Sequence, residues 1–292
     1  MPTASPADAL EREAADAYCR VLTAGHYENF SVAAAFVGKA IRLDLMRIYA
    51  FCRTTDDLGD EHRTSDPLER LARWRADVEA LFAGRQPIHP VLVAMRETVE
   101  RRAMPAEPFL DLIAANELDQ RVSTYEDWPA LEAYCMLSAA PVGRMVLRVF
   151  GIGDSAATSL SDDVCVGLQL ANHAQDVSRD TTIGRTYLLQ SDLREGGTAH
   201  AVRALVDRAR LLLDSGRRLE PMAPAALRLQ LALYRLGGLA ICEAIERIGY
   251  ATDTRRPSVS SGRKVSLVLR AALEALAPKG RVAEPHPEAP YR

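Results

Sequence analysis

The chain has 292 residues, of which 48% are hydrophobic, and its formal net charge is −3. This length fits one large domain or two small ones, and the apolar share is enough for a sizeable core. The charge is near neutral and there is no long basic block, so nothing favours nucleic-acid binding. The five cysteines are scattered, which predicts free thiols in a reducing cytoplasm rather than disulfides or a zinc site.

The first ten residues lack a basic region followed by an apolar run, so we expect no signal peptide. No stretch reaches about 18 uninterrupted apolar residues, so we also expect no membrane span. Residues 1–8 are small and polar, and residues 278–292 are rich in proline. We therefore predict disordered tails around one helical domain at residues 9–277.

Helical periodicity and capping signals run through the domain, and no segment alternates as a strand would. The predicted helices, in chain order, are 9–22, 41–60, 67–82, 90–102, 108–124, 127–150 with an interruption at Pro141–Gly143, 156–181, 199–220, 225–250 and 263–277. The fold class is therefore all-α, a single bundle of about ten to twelve helices.

The helix ending near residue 181 carries acidic groups along its apolar face. Val164, Leu168, Asn172, Asp176 and Asp180 follow one another in steps of four, so they share one side of the helix. That side begins apolar and ends in an amide and two carboxylates. The polar groups thus continue the face that should point into the protein.

The helix at 41–60 shows the same arrangement, because Asp56 and Asp60 extend its apolar stripe and Asp57 lies beside them. Burying unpaired carboxylates is costly, and hard cations remove much of that cost. Two such clusters predict a shared cavity that holds magnesium or manganese, which prefer carboxylate and amide oxygens. The alternative is a pair of solvated acidic helix ends.

Arginines lie near both clusters, as expected if the metal-bound ligand is a diphosphate. Arg53 precedes the first cluster by one turn, and Arg179 and Arg185 flank the second. A later basic group comprises Arg255, Arg256, Arg263 and Lys264. The competing di-iron carboxylate bundle needs Glu-x-x-His, and none of the six histidines follows a glutamate at that spacing. No dinucleotide fingerprint or P-loop is present.

These residues resemble the squalene and phytoene synthase family of isoprenoid enzymes. The stretch from Tyr49 to Glu61 is similar to the first aspartate-rich motif of that family, and Asn172–Asp180 with the loop from Gly184 is similar to the second. The similarity extends from about residue 18 to residue 270, which is most of the chain.

The resemblance implies a helical bundle with a central cavity in which magnesium ions hold a prenyl diphosphate. It implies metal ligation by Asp56, Asp57, Asp60, Asn172, Asp176 and Asp180. Catalytic roles would fall to Asp56, Asp60, Asp176 and Tyr49. Substrate contacts would come from Arg53, Arg179, Arg185, Tyr187, Arg256 and Lys264. Cavity positions would be His26, Phe30, Ser138, Val142 and His173.

Three segments are similar to the branch of the family that converts presqualene diphosphate to hydroxysqualene in hopanoid pathways: 26–32, 138–144 and 255–257. His173-Ala174 departs from the pair of bulky aromatic residues expected there, which predicts an altered cavity. Leu137 stands where reductive squalene synthases carry a tyrosine, which argues against the reductive route.

The expected reaction is magnesium-dependent ionisation of presqualene diphosphate followed by capture of water. One alternative is head-to-head synthesis of presqualene diphosphate, dehydrosqualene or phytoene. Another is a non-catalytic assembly protein on the same fold. The apolar product leaves transient membrane contact and hand-over to other hopanoid or squalene pathway enzymes as open expectations.

Overall fold

The computed structural model describes residues 6–24, 37–60 and 66–276, with side chains from residue 10 onward. This part of the chain forms twelve α-helices and a short 3₁₀ helix at Glu220–Met222. The α-helices are α1 (Pro6–Ala24), α2 (Lys39–Asp60), α3 (Pro67–Phe82), α4 (Pro90–Arg102), α5 (Glu107–Asp119), α6 (Trp128–Ser138), α7 (Ala140–Val149), α8 (Ser155–Gln175), α9 (Val177–Thr182), α10 (Gln190–Leu219), α11 (Ala225–Arg247) and α12 (Ser261–Leu276). Within α10 the backbone is non-helical at Gly197 (φ 74°, ψ −171°), so a kink separates its first turns from the rest. The predicted all-α class is confirmed.

Side chains cap the first turns of four of the described helices, α3, α4, α6 and α8. Asp66 accepts a hydrogen bond from the backbone N–H of Leu68 at 3.0 Å, and Asp127 accepts one from Ala130 at 3.1 Å. Asp154 does the same for α8. Each carboxylate satisfies a backbone donor that the first turn of a helix leaves unpaired. The helix α1 begins at Pro6, inside the stretch that was predicted as an N-terminal tail.

Two predicted helices are each divided in the structure. The predicted interruption at Pro141–Gly143 was wrong, because the break lies at Ala139 and Pro141 falls in the first turn of α7, where its missing N–H costs nothing. The continuous helix predicted through Thr181 was also wrong, because helical geometry stops at Asp176 (φ −101°, ψ 15°) before α9 begins. Both breaks lie beside the cavities described below.

Three apolar clusters form the core of the described residues; α8 belongs to the two larger ones, and the smallest lies between α11 and α12. The first joins α1–α5 with α7 and the start of α8, and in it Phe51 stacks on Trp74 with ring centroids 5.4 Å apart. The second joins α6, α10 and α11 to the later part of α8. This central position of α8 brings its carboxyl end to the middle of the bundle, opposite the end of α2.

The helix α11 is long and apolar enough to cross a membrane, the one such case among the described residues, and half of its most apolar window is buried. It packs against α8, α10 and α12. Its Arg235 is fully buried and pairs with Glu220 at 2.6 Å and with Glu274. These contacts identify α11 as a core helix of the bundle.

Candidate active site

One wall of the largest acidic cavity is the last turn of α2. Ile48 and Phe51 on the apolar side of α2 are fully buried, and Asp56 and Asp60 at its end line the cavity. Gly59 lets α5 approach closely, because a Cβ atom there would lie 2.4 Å from Asn116 Oδ1. Asn116 in turn hydrogen-bonds the Asp56 carboxylate. The sequence of α2 thus positions the carboxylates and their first support.

The opposite wall is the junction between α8 and α9. Asn172, Asp176 and Asp180 all face the cavity, although the helix breaks at Asp176. Arg256, from the loop before α12, pairs with both carboxylate oxygens of Asp176 and donates to Gln175 Oε1 at 3.3 Å. Gln175 also donates to the backbone carbonyl of Pro257 at 2.8 Å. A loop 80 residues downstream therefore holds this wall in place.

The cavity between the walls has a volume of about 790 Å³. Most of the side chains predicted as functional line it together. Its lining comprises Asp56, Asp60, Gln169, Asn172, His173, Asp176, Arg179, Asp180, Ile183, Arg185, Tyr187 and Arg256. The two acidic clusters, about 120 residues apart in sequence, therefore meet in space.

Repulsion and poor solvation act on these carboxylates. The Asp56 side chain is exposed to the cavity, and the protein atoms around it limit its solvation; this desolvation raises its pKa to about 6, against the Asn116 hydrogen bond and with the charge of Asp60 adding to the rise. Burial and the charge of Asp176 raise the pKa of Asp180 to about 6, against Arg179 and Arg185. The first cluster also stands at the carboxyl end of α2, where the helix dipole disfavours negative charge. The cavity is therefore short of positive charge.

The donor set fits a hard divalent cation such as magnesium. All the candidate ligands offer oxygen, four as carboxylates (Asp56, Asp60, Asp176, Asp180) and Asn172 as an amide. A cation between the walls would relieve the repulsion that raises the pKa values of Asp56 and Asp180. The magnesium assignment itself stays a prediction.

Arg185 links the two walls through a buried carboxylate. Its Nη1 lies 3.8 Å from Asp60 Oδ1 and 3.7 Å from Asp119 Oδ2, and Tyr134 donates to the same Asp119 oxygen at 3.0 Å. Burial raises the pKa of Asp119 to about 6, and Arg185 and Tyr134 oppose the rise. Asp119 Oδ1 is buried without a partner among the described residues. Asp119 and Tyr134 therefore orient Arg185 toward the cavity.

His173 lies flat against Tyr187, with ring centroids 3.6 Å apart, at the floor of the acidic cavity. Burial lowers the pKa of His173 to about 3, so the imidazole is neutral at physiological pH. Gln169 meets its Nε2 atom at 3.1 Å. The neutral ring acts as a planar wall rather than a fixed charge, and Tyr134 and Tyr125 continue the aromatic stack behind it.

A second, apolar cavity of about 550 Å³ adjoins the first. It lies between α7, α8 and α11, and its lining includes Ser138, Val142, Val164, Leu168, Leu231 and Ile241. Gln169 and Asn172 line both cavities. A charged compartment and an apolar one therefore meet at two amide side chains.

Several predicted residues lie elsewhere. Asp57 pairs with Arg53 at 2.7 Å along the surface of α2, and among the described linings neither side chain reaches a cavity. Lys264 is exposed on α12. Tyr49 is half-buried on α2 and lies outside the described linings of both cavities. The predicted cavity residues His26 and Phe30 fall outside the described residues.

Sequence reasoning did not assign functional roles to Asn116, Asp119, Tyr134 and Gln169. The sequence did contain an indication for two of them on α5. Asn116 and Asp119 are polar, yet their spacing places them on the same helix face as the buried Leu112. The indication for Gln169 was weaker, because it follows Leu168 directly and so lies off the helix face that Leu168 and Asn172 share. Only the packing of α5 against α2 reveals what Asn116 touches.

An all-α bundle whose acidic cavity adjoins an apolar one defines a protein of the isoprenoid-synthase type. The chain belongs to the squalene/phytoene synthase family, whose model matches residues 23–263. It is an enzyme of that family, which removes the alternative of a non-catalytic assembly protein.

Within the family, the chain is similar to two hydroxysqualene synthases and to one solved squalene synthase structure. A hydroxysqualene synthase of Sinorhizobium fredii is 34% identical over 65% of this chain and 69% of its own length. A second, of Rhodopseudomonas palustris, is 38% identical over 58% of each chain. The crystal structure of squalene synthase HpnC from Alicyclobacillus acidocaldarius is 42% identical, with a TM-score of 0.78 over 82% of this chain and 96% of that one.

Proposed function

We propose that this enzyme ionises presqualene diphosphate and captures the resulting cation with water, giving hydroxysqualene and diphosphate. The observation that carries the proposal is the pair of adjoining cavities. One is lined by aspartates and arginines, and the other mostly by apolar side chains. A prenyl diphosphate has the same division between a charged head and a hydrocarbon tail. The two hydroxysqualene synthase relatives support this choice of substrate.

Arginines would bind the head of the substrate. Arg179, Arg185 and Arg256 line the acidic cavity and can donate to phosphate oxygens in pairs. Asp56, Asp60, Asn172, Asp176 and Asp180 would hold magnesium. When bound, magnesium supplies Lewis-acid stabilisation of the diphosphate leaving group. Asp119 and Tyr134 keep Arg185 aimed at the charge that develops as the carbon–oxygen bond breaks.

The tail would occupy the apolar cavity. Apolar side chains of α7, α8 and α11, such as Val142, Leu168 and Ile241, exclude bulk water from the cyclopropylcarbinyl cation and the allylic cation formed by ring opening. The uncharged His173 ring adds no repulsion to a nearby cation. Capture by a water molecule then gives the alcohol, and no electron donor is consumed.

The test is a paired incubation with magnesium and without NADPH. One sample receives presqualene diphosphate and the other farnesyl diphosphate, and the extracted products are identified by mass spectrometry. We expect hydroxysqualene from the first sample alone. Chelation by EDTA and the Asp176→Ala variant should both abolish it. Asp207→Ala, which removes an exposed aspartate from the surface of α10, is the matched control.

Head-to-head condensation of two prenyl diphosphates is the second candidate, because the family as a whole is described as squalene/phytoene synthase. A condensation product from farnesyl diphosphate in the second sample would establish it and contradict the first proposal. In either case the substrate is a prenyl diphosphate.

We also propose that the enzyme works in the cytoplasm. The free cysteines and the burial of α11 in the bundle support this location. An apolar product would pass through transient membrane contact or directly to the next enzyme of a hopanoid or squalene pathway. Fractionation of the native host, with and without salt washing, would distinguish a cytoplasmic pool from a membrane-bound one.

A further inference from the structure

The apolar cavity contains one hydroxyl with no visible role in the fold. Ser138 is the last residue of α6, and its Oγ atom is buried without a hydrogen-bond partner among the described residues. Helical hydroxyls usually bond to a backbone carbonyl one turn earlier, as Thr55 does with Phe51 at 2.9 Å. Burying an unpaired hydroxyl costs free energy, and a bound polar molecule that hydrogen-bonds to it would remove this cost.

Packing places Ser138 beside the boundary between the two cavities. The ring of Tyr134, one turn before Ser138, lies 6.3 Å from the ring of His173. A Cβ atom at Gly143, just beyond it, would lie 2.6 Å from Cys165 Sγ. Residues 134–143 therefore run antiparallel to α8. Along the axis of α8, Ser138 lies between Cys165 and His173, close to Gln169, which lines both cavities.

The other two hydroxyls that line the apolar cavity, on Ser161 and Tyr234, already have hydrogen-bond partners. Gly238 of α11 is level with Leu168, since a Cβ there would lie 3.0 Å from Leu168 Cδ2. Gln230 lies more than two turns before Gly238 and so is farther from the boundary. Its Nε2 donates to the Tyr234 hydroxyl, and its Oε1 is buried without a partner among the described residues at that deeper level. Ser138 is therefore the hydroxyl best placed near the reacting carbons.

We propose that the Ser138 hydroxyl holds the water molecule that captures the carbocation, an inference that rests on the function proposed above. A lone pair of the water oxygen forms the new C–O bond to the cationic carbon. The water proton is released to the diphosphate, which departs from the adjoining acidic cavity. Ser138 itself is neither consumed nor charged, and it fixes where the oxygen is added.

The ratio of products reports this role. Without a held water, the same cation loses a proton from a neighbouring carbon to the diphosphate and becomes a conjugated hydrocarbon. Release of diphosphate precedes the choice between these outcomes, so its rate should not depend on Ser138. The ratio of alcohol to hydrocarbon should depend on it strongly.

The experiment compares Ser138→Thr with Ser138→Val, because these side chains have the same shape and differ only in a hydroxyl. Presqualene diphosphate is supplied with magnesium in oxygen-18 water, and diphosphate release and labelled alcohol are both measured. We expect the valine variant to lower the alcohol-to-hydrocarbon ratio by about tenfold, the effect expected for losing one hydrogen bond to the reacting water. Diphosphate release should change by less than about threefold, and the threonine variant should keep the alcohol.

Ser215→Ala serves as the control, because the Ser215 hydroxyl bonds to the backbone of its own helix at 2.7 Å and lies outside both cavities. An unchanged product ratio in the valine variant would overturn the proposal. So would equal loss of alcohol in the valine and threonine variants, since shape would then be the cause.

A binding measurement separates this inference from the proposed function. If the wild-type protein makes no alcohol, the proposed function fails. Affinities for hydroxysqualene and squalene, measured in the same detergent, then decide the role of Ser138. The valine variant should bind hydroxysqualene about tenfold more weakly and squalene unchanged. Equal effects on the two ligands would show that Ser138 recognises no oxygen.

Discussion

The two walls of the acidic cavity present similar residues on differently built supports. On α2 the aspartates continue an unbroken helix, and their nearest support is Asn116 of the neighbouring α5. On the other wall the helix breaks at Asp176, and Arg256 from a distant loop restores the position of its carboxylate. A periodic sequence pattern can therefore bring side chains to one site even where the helix is interrupted.

Removing a carboxylate from either wall should have the largest effect. We expect Asp56→Ala and Asp176→Ala each to lower turnover by on the order of a thousandfold, because each removes a proposed ligand of the cation that would stabilise the leaving group. Helical circular dichroism should stay at the wild-type level. Turnover of one variant within about tenfold of wild type would mean that only the other wall holds the metal.

Substrate binding should depend on Arg256, which belongs to the loop that supports the second wall. It should not depend on Arg53, the arginine nearest to the first wall in sequence. We expect Arg256→Ala to raise KM by about 10- to 100-fold, since it removes a contact to Asp176 and a donor from the cavity. Arg53→Ala should change KM by less than about threefold, because Arg53 pairs with Asp57 on the helix surface. Steady-state kinetics of the two variants make the comparison, and equal effects would contradict it.

The close approach of α5 to α2 can be broken at Gly59. A methyl group there would collide with Asn116, so we expect Gly59→Ala to lower the free energy of unfolding by about 1–3 kcal/mol. Gly237→Ala on α11 has open space around it, and should raise that free energy by up to about 1 kcal/mol. Urea unfolding measures both. A neutral Gly59→Ala would mean that the Asn116 side chain turns aside or that α5 moves away.

The smallest effect should appear in the pH dependence of stability. The folded pKa of Asp56 is raised to about 6, so its contribution to stability is present below the usual aspartate pKa near 4 and is lost as pH rises through 6. In EDTA, Asp56→Asn should therefore match wild type near pH 4. At pH 7.5 it should be more stable by on the order of 1 kcal/mol, after allowance for solvent screening. Magnesium should reverse this difference.

Several helix boundaries and the meeting of the acidic clusters could be predicted from the sequence, because capping residues and steps of four are local signals. The start of α10 at Gln190 was missed, since the helix was predicted only at 199–220. The helix Pro90–Arg102 begins and ends where predicted. The break at Asp176 could not be predicted, since its clearest partner, Arg256, is 80 residues away. The outward position of Asp57 could not be predicted either, because it depends on which i,i+4 partner the carboxylate meets.

The boundary between the cavities consists of two amide side chains, Gln169 and Asn172, each of which touches both compartments. Affinity for the polar head and fit to the hydrocarbon tail are therefore not independent quantities in this enzyme. Changes at either position should be strongly non-additive with changes in both cavities. Evolution toward a longer or shorter substrate would consequently have to begin away from this boundary, at the far end of the apolar cavity.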